Sequence, residues 1–115
     1  MAGVTMYHNP RCSKSRQTLA LLQEQGVEAE VVEYLKTPPD AETLDRILKK
    51  LGLEPRELMR TKEDEYAAQG LADVEDRGAL IQAMVENPIL IERPIVVKGN
   101  KARIGRPPEQ ILDIL

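Results

Sequence analysis

Cysteine and histidine each occur once in the 115 residues, phenylalanine and tryptophan are absent, and tyrosine occurs three times. A lone cysteine cannot close an internal disulfide, so no disulfide framework is expected and a reducing, cytoplasmic setting is the natural one. One cysteine and one histidine also fall short of a structural zinc set, so no metal site is expected. With aromatics scarce, Leu, Ile, Val and Met must build the core. Positive charge is not in excess either: the net charge of −3 leaves no general basic surface for nucleic acid or for an anionic membrane. No apolar run approaches the ~18–20 residues of a membrane span. The first residues lack the basic, apolar and small-residue order of a signal peptide, so no secretory leader is expected. The length suits one domain, 1–115, which would bury roughly two-thirds of the surface of its unfolded chain.

The chemistry that is present gathers in one stretch, Tyr7-His8-Asn9-Pro10-Arg11-Cys12-Ser13-Lys14-Ser15-Arg16. It joins the first strand-like run to the first helical pattern and holds both the cysteine and the histidine. A thiol placed where a helix begins meets unpaired N–H groups and the positive end of the helix dipole, and both favour the thiolate. His8, Arg11, Lys14 and Arg16 add donors and positive charge nearby. Such surroundings lower a cysteine pKa from about 8.5 to roughly 3.5–7.5. A lone cysteine is otherwise a small buried hydrophobe, but a polar, cationic turn is a poor setting for one.

Along the chain, Val4 and Met6 alternate with Thr5 and Tyr7, which predicts a short strand with one buried face. Asn9-Pro10 breaks it, because a residue before proline avoids the α region. A helix is expected over about 13–25, capped by Gly26, and then a strand over Glu30–Tyr34. Strand, helix, strand in so little chain predicts a right-handed βαβ unit with parallel strands. Asp40 reads as an N-cap, and Leu44, Ile47, Leu48 and Leu51 form a helical stripe stopped by Gly52. Pro55 opens a short turn carrying Leu58 and Met59. Residues 62–69 read as an exposed helix, and Asp76 as the cap of a helix to about Val85 with Leu80, Ile81, Met84 and Val85 inward. Residues 37–87 are therefore expected to form a helical insertion. Ile95-Val96-Val97, Gly99-Asn100 and the alternating Lys101–Ile104 predict a hairpin. Gly105-Arg106-Pro107-Pro108 leads into a last helix with Ile111, Leu112 and Leu115 inward. The expected fold class is α/β: a four-stranded mixed sheet, βαβ then ββα, with helices on both faces and a helical insertion between the halves.

That order is thioredoxin-like, and the residues resemble the glutaredoxin-dependent arsenate reductases of that fold over essentially the whole chain. The anchors are Tyr7 to Cys12, Tyr34-Leu35 with Pro38-Pro39, Glu57-Leu58-Met59-Arg60, Asn87-Pro88, Arg93-Pro94-Ile95-Val96-Val97 and Arg106-Pro107. The resemblance implies Cys12 as the nucleophile that attacks arsenic and His8 as the residue supporting its thiolate. Ser15 and Arg16 match positions hydrogen-bonded around the cysteine, with Arg16 counted among the oxyanion contacts. Arg60, Arg93 and Arg106 match the three arginines that clamp the anion, and Pro94 matches the cis-proline facing the sulfur. It further implies a bacterial cytoplasmic enzyme of arsenic detoxification that works as a monomer with glutathione as co-substrate, glutaredoxin as partner and no bound cofactor.

The chemistry is coherent on its own terms. Arsenate is an oxyanion, an anionic thiolate attacks it only when their repulsion is offset, and planar guanidinium forks do this better than lysine. Helix N–H groups from Ser13 onward add anion donors. Reduction needs electrons from a second thiol, which this chain lacks, so resolution must be intermolecular. A Cys-x5-Arg phosphate loop is excluded because position 18 is Thr, and a Cys-x-x-Cys site because position 15 is Ser. Two other readings stay open at this stage. One is a monothiol, glutathione-linked oxidoreductase with a different substrate. The other is a non-catalytic, redox-linked regulator that binds RNA polymerase.

Overall fold

The computed structural model describes residues 3–115. The chain forms two compact units, one made of the chain up to Thr37 together with Arg93–Leu115, the other of Pro38–Glu92.

The first unit is built on a four-stranded sheet of order β2-β1-β3-β4, with β1 Val4–His8, β2 Ala29–Glu33, β3 Ile95–Lys98 and β4 Lys101–Ile104. β1 pairs parallel with β2 and antiparallel with β3, and β3 pairs antiparallel with β4. The mixed sheet expected from the βαβ and ββα patterns is thus present. Helix α1, Ser13–Glu24, makes the crossover between β1 and β2, and its end is followed by Gly26 at φ 71°. That left-handed backbone is one glycine adopts without a Cβ clash. Val4 and Met6 from β1 and Val96 from β3 form one core cluster with Leu22 of α1 and with Ile111 and Ile114. The two-residue period of the strands explains why Val4, Met6 and His8 share that face.

The C-terminal segment departs from expectation. Pro108–Ile114 is a 3-10 helix rather than an α-helix, and its buried residues are Pro108, Ile111 and Ile114. Three residues per turn bring i, i+3 and i+6 onto one side. Leu112, expected inward on an α-helical period, is 41% exposed, and Leu115 is half-buried.

In the second unit, α2 runs Ala41–Leu51 with Leu44, Ile47 and Leu48 buried. Asp40 caps it by accepting from the Thr43 N–H at 2.8 Å, and Gly52 ends it in a left-handed conformation. α3 is the short turn Pro55–Leu58. α4, Asp64–Ala68, is less exposed than its charges suggest, because Tyr66 is buried and its hydroxyl accepts from Arg56 Nη1 at 2.9 Å. α5, Arg77–Glu86, is capped by Asp76 and buries Leu80, Ile81, Ala83 and Met84, while Val85 is only half-buried. Among the described residues, no helix is long and apolar enough to cross a membrane.

The three-residue face at the C-terminus separates two adjacent positions. Ile111→Ala leaves a cavity in the core cluster and is expected to lower unfolding free energy by about 2–5 kcal/mol. Leu112→Ala should change it by about 0.5 kcal/mol or less. Denaturant titration of the two variants distinguishes this arrangement from an α-helical one, in which the order of the losses would be closer to equal.

Candidate active site

The loop after β1 is shaped by Asn9. Its carbonyl accepts from the Cys12 N–H at 3.0 Å, and its side-chain Oδ1 accepts from the Arg11 N–H at 3.0 Å. These bonds turn the chain so that Cys12 becomes the N-cap residue of α1, with φ −91° and ψ 124°. The sulfur is buried. Burial is the largest single influence on the thiol and raises its pKa. It is outweighed by the Ser15 N–H, the Arg93 guanidinium acting by hydrogen bond and by charge, and the Lys14 N–H, so the pKa lies below that of an ordinary cysteine. The helix start therefore acts on the sulfur as its sequence position implies. The side-chain cation comes from Arg93, far away in sequence, rather than from Arg11, Lys14 or Arg16.

A second arginine reaches the same atom. Arg106 Nη2 lies 3.6 Å from Cys12 Sγ, while its Nε donates to the Arg93 carbonyl at 2.8 Å. The hairpin explains the pairing. Ile95 is opposite Ile104 in the β3–β4 register, and the same register carried outward opposes Pro94 to Gly105 and Arg93 to Arg106. The Gly105 N–H donates to the Pro94 carbonyl at 2.9 Å in keeping with it. The Arg93–Pro94 peptide bond is cis, as expected of Pro94, and Arg106–Pro107 is cis as well. Gly105 is a position of close packing beside the site that sequence reasoning treated only as a turn. A Cβ there would overlap Thr18 Oγ1 and lie 2.8 Å from Pro94 Cγ. Its signal was available in the hairpin spacing, which places it against Pro94.

His8 and Ser15 form a buried pair, with His8 Nδ1 2.6 Å from Ser15 Oγ. Ser15 Oγ also accepts from the Asn9 N–H at 3.0 Å, so the pair ties the end of β1 to the first turn of α1. Burial lowers the His8 pKa, Glu33 opposes that shift, and Arg16 adds to it. The net shift favours the neutral ring, and in the tautomer whose Nδ1 is bare that nitrogen accepts the Ser15 hydroxyl proton. His8 thus reaches the cysteine through Ser15, whose backbone N–H acts on the sulfur. Arg16 is exposed and its Nη1 donates to the Pro10 carbonyl at 3.0 Å, bracing the loop from outside.

Arg60 belongs to the helical unit. Its Nε donates to Glu63 Oε1 at 2.9 Å and its Nη1 to Glu92 Oε1 at 3.3 Å. The segment is tied by the Arg60 N–H to the Leu90 carbonyl at 2.7 Å and by the Glu92 N–H to the Leu58 carbonyl at 2.8 Å. Among the described residues, no group of three or more His, Cys, Asp or Glu is placed to hold a metal ion.

Two variants test the geometry around the sulfur. Arg93→Ala removes a hydrogen bond and a charge that lower the Cys12 pKa and leaves burial in place, so the pKa must rise. The pH midpoint of alkylation by iodoacetamide should move upward relative to wild type. An unchanged midpoint would mean that Arg93 does not act on the sulfur. Gly105→Ala forces Thr18 and Pro94 apart, and overpacking of this kind lowers stability by about 1–3 kcal/mol. Denaturant titration measures that loss, and a neutral substitution would contradict the packing described.

Comparisons with known proteins bear on the family and the fold. The model of the ArsC family matches residues 7–114. The chain is 65% identical over 114 residues to the uncharacterized protein YfgD of Escherichia coli, covering 97% of this chain and 96% of that one. It is 50% identical over 117 residues to an arsenate reductase of Neisseria meningitidis serogroup A, covering 100% of both chains. The solved structure of an arsenate reductase from Vibrio cholerae superposes with a TM-score of 0.96 at 53% identity, covering 99% of this chain and 98% of that one. The four-stranded mixed sheet is that of the thioredoxin-like fold, and the chain belongs to the ArsC family.

Proposed function

We propose that this protein reduces arsenate to arsenite, with Cys12 as the nucleophile and external thiols as the source of electrons. The observation that carries the reading is the pair of arginines at one sulfur: the Arg93 side chain bonds Cys12, and Arg106 Nη2 lies 3.6 Å from it. A thiolate and an oxyanion repel each other, and guanidinium groups beside the sulfur offset that repulsion at the place where the new bond forms. The N–H groups at the start of α1 supply further donors to the same region. Arg60 is the third arginine of the clamp in this reading.

In this reading the single thiol of the chain is complemented by glutathione and glutaredoxin, as the family resemblance implies. Cys12 Sγ attacks arsenic, an S–As bond forms, and one arsenic-bound oxygen leaves as water after protonation. Glutathione then displaces a second oxygen, which places two sulfurs on pentavalent arsenic. A glutaredoxin thiolate attacks the glutathione sulfur. The electron pair of that S–As bond stays on arsenic, which becomes trivalent, and the glutathione leaves as a mixed disulfide with glutaredoxin. Hydrolysis of the remaining S–As bond releases arsenite and restores Cys12. The chain's own part is to ionise the sulfur, neutralise the anion and keep the loop rigid through the His8–Ser15 pair.

Arsenite production in the presence of glutathione and glutaredoxin tests this. Wild type should turn over and Cys12→Ser should not. Arg60→Ala, Arg93→Ala and Arg106→Ala should each lower kcat/KM by about 10–100-fold, the range set by losing one charge-assisted hydrogen bond. An inactive wild type whose Cys12 still forms a mixed disulfide with glutathione would shift the reading to a monothiol oxidoreductase with another substrate. An inert Cys12 would end both enzymatic readings.

A further inference from the structure

Beside the cysteine loop, and within the sheet-bearing unit, lies a groove of about 370 Å³ lined by His8, Asn9, Pro10, Arg11, Glu33, Leu35 and Lys36. None of the chemistry above uses it. Its volume is that of a small-molecule site. Two of the residues lining it are polar and more than nine-tenths buried, His8 at 6% exposure and Asn9 at 7%. Each spends one side-chain atom on the protein. His8 Nδ1 meets Ser15 Oγ, and Asn9 Oδ1 accepts from the Arg11 N–H. Among the described residues, His8 Nε2 and Asn9 Nδ2 have no protein partner, and neither atom is sealed from solvent. In the tautomer whose Nδ1 accepts from Ser15, the His8 hydrogen resides on Nε2, and both atoms are then donors. Both donors are open to an acceptor that enters the groove.

The rim is charged in both senses. Arg11 and Lys36 are exposed cations. Glu33 is opposite His8 in the β1–β2 register, where its charge acts on the ring, and its carboxylate lies 3.6 Å from Lys36, whose side chain is 79% exposed. A solvated pair at that distance contributes little and separates readily. Leu35, 42% exposed, adds an apolar wall. Donors on His8 and Asn9, two cations, and one carboxylate held only by a solvated lysine suit a group that carries both a carboxylate and an ammonium.

We propose that this groove binds the zwitterionic amino-acid end of the thiol co-substrate. The carboxylate is received by His8 Nε2, Asn9 Nδ2 and Arg11, the ammonium by Glu33, and the aliphatic stem lies against Leu35. This rests on the reading of the protein as a thiol-dependent reductase and adds to it the place where the thiol peptide docks. Arg11 immediately precedes Cys12, so a peptide held there enters from the loop that carries the reactive sulfur. Arg11 is in this account a specificity-determining residue for the thiol, not for the oxyanion.

Binding can be measured apart from turnover, with S-methylglutathione as an unreactive probe and the full chain as the receptor. Amide shifts in an NMR titration should concentrate on residues 8–11 and 33–36. N-acetylation of the probe, which removes the ammonium, should weaken binding about 5–10-fold. Arg11→Ala and Glu33→Gln should each weaken it by a similar factor. In steady-state assays Arg11→Ala should raise KM for glutathione about 5–20-fold and change KM for arsenate less than twofold. Shifts confined to other residues, an acetylated probe that binds equally well, or an Arg11→Ala variant that alters KM for arsenate instead would each overturn the proposal. An enzyme inactive on arsenate whose groove still binds the probe would refute the arsenate reading and leave the groove assignment intact.

Discussion

An ionised sulfur held away from water is stable only where donors surround it, and most of the sheet-bearing unit serves to bring donors to Cys12. Burial alone raises the thiol pKa. Two of the opposing groups are amides at the start of α1, available because no earlier turn of helix uses them. The position of α1 is set in turn by Leu22, packed with Met6 and Val96 in the core cluster. The reactive atom therefore depends on apolar contacts that lie well away from it along the helix.

The remaining donors arrive by sheet register. Arg93 and Arg106 are thirteen residues apart but flank the two strands of one hairpin, so antiparallel pairing brings them opposite each other. Close approach of that hairpin to α1 requires the absence of a side chain at Gly105, which packs against Thr18 and Pro94. A larger residue would move the arginines as well as the backbone. The same sulfur thus joins a local device, the helix N-terminus, to a non-local one, the hairpin end.

The loop between β1 and α1 has two sides with different chemistry. On one side the sulfur faces guanidinium groups, an arrangement suited to a tetrahedral oxyanion. On the other, the groove is lined by the polar side chains of His8 and Asn9 beside charges of both signs. His8 links them: its Nδ1 holds Ser15, whose N–H acts on the sulfur, while its ring lines the groove. A neutral imidazole can accept on one nitrogen and donate on the other.

Local chemistry made much of this legible in advance. The helix caps at Asp40 and Asp76, the glycine stops, the Gly99-Asn100 hairpin and the placement of Cys12 between β1 and α1 all follow from propensities acting over a few residues. Matched motifs directed attention to Arg93, Arg106 and Pro94, although motif order alone does not bring side chains together. What only the tertiary structure decided is which groups act at a distance. It chose Arg93 and Arg106 rather than the loop's own cations to meet the sulfur, lowered the His8 pKa by burying the ring, buried Tyr66 in a charged segment, and wound Pro108–Ile114 as a 3-10 helix that turns Leu112 outward. Caps and turns are settled by neighbours in the chain. Burial and long-range pairing are settled by contacts that exist only once the sheet has formed.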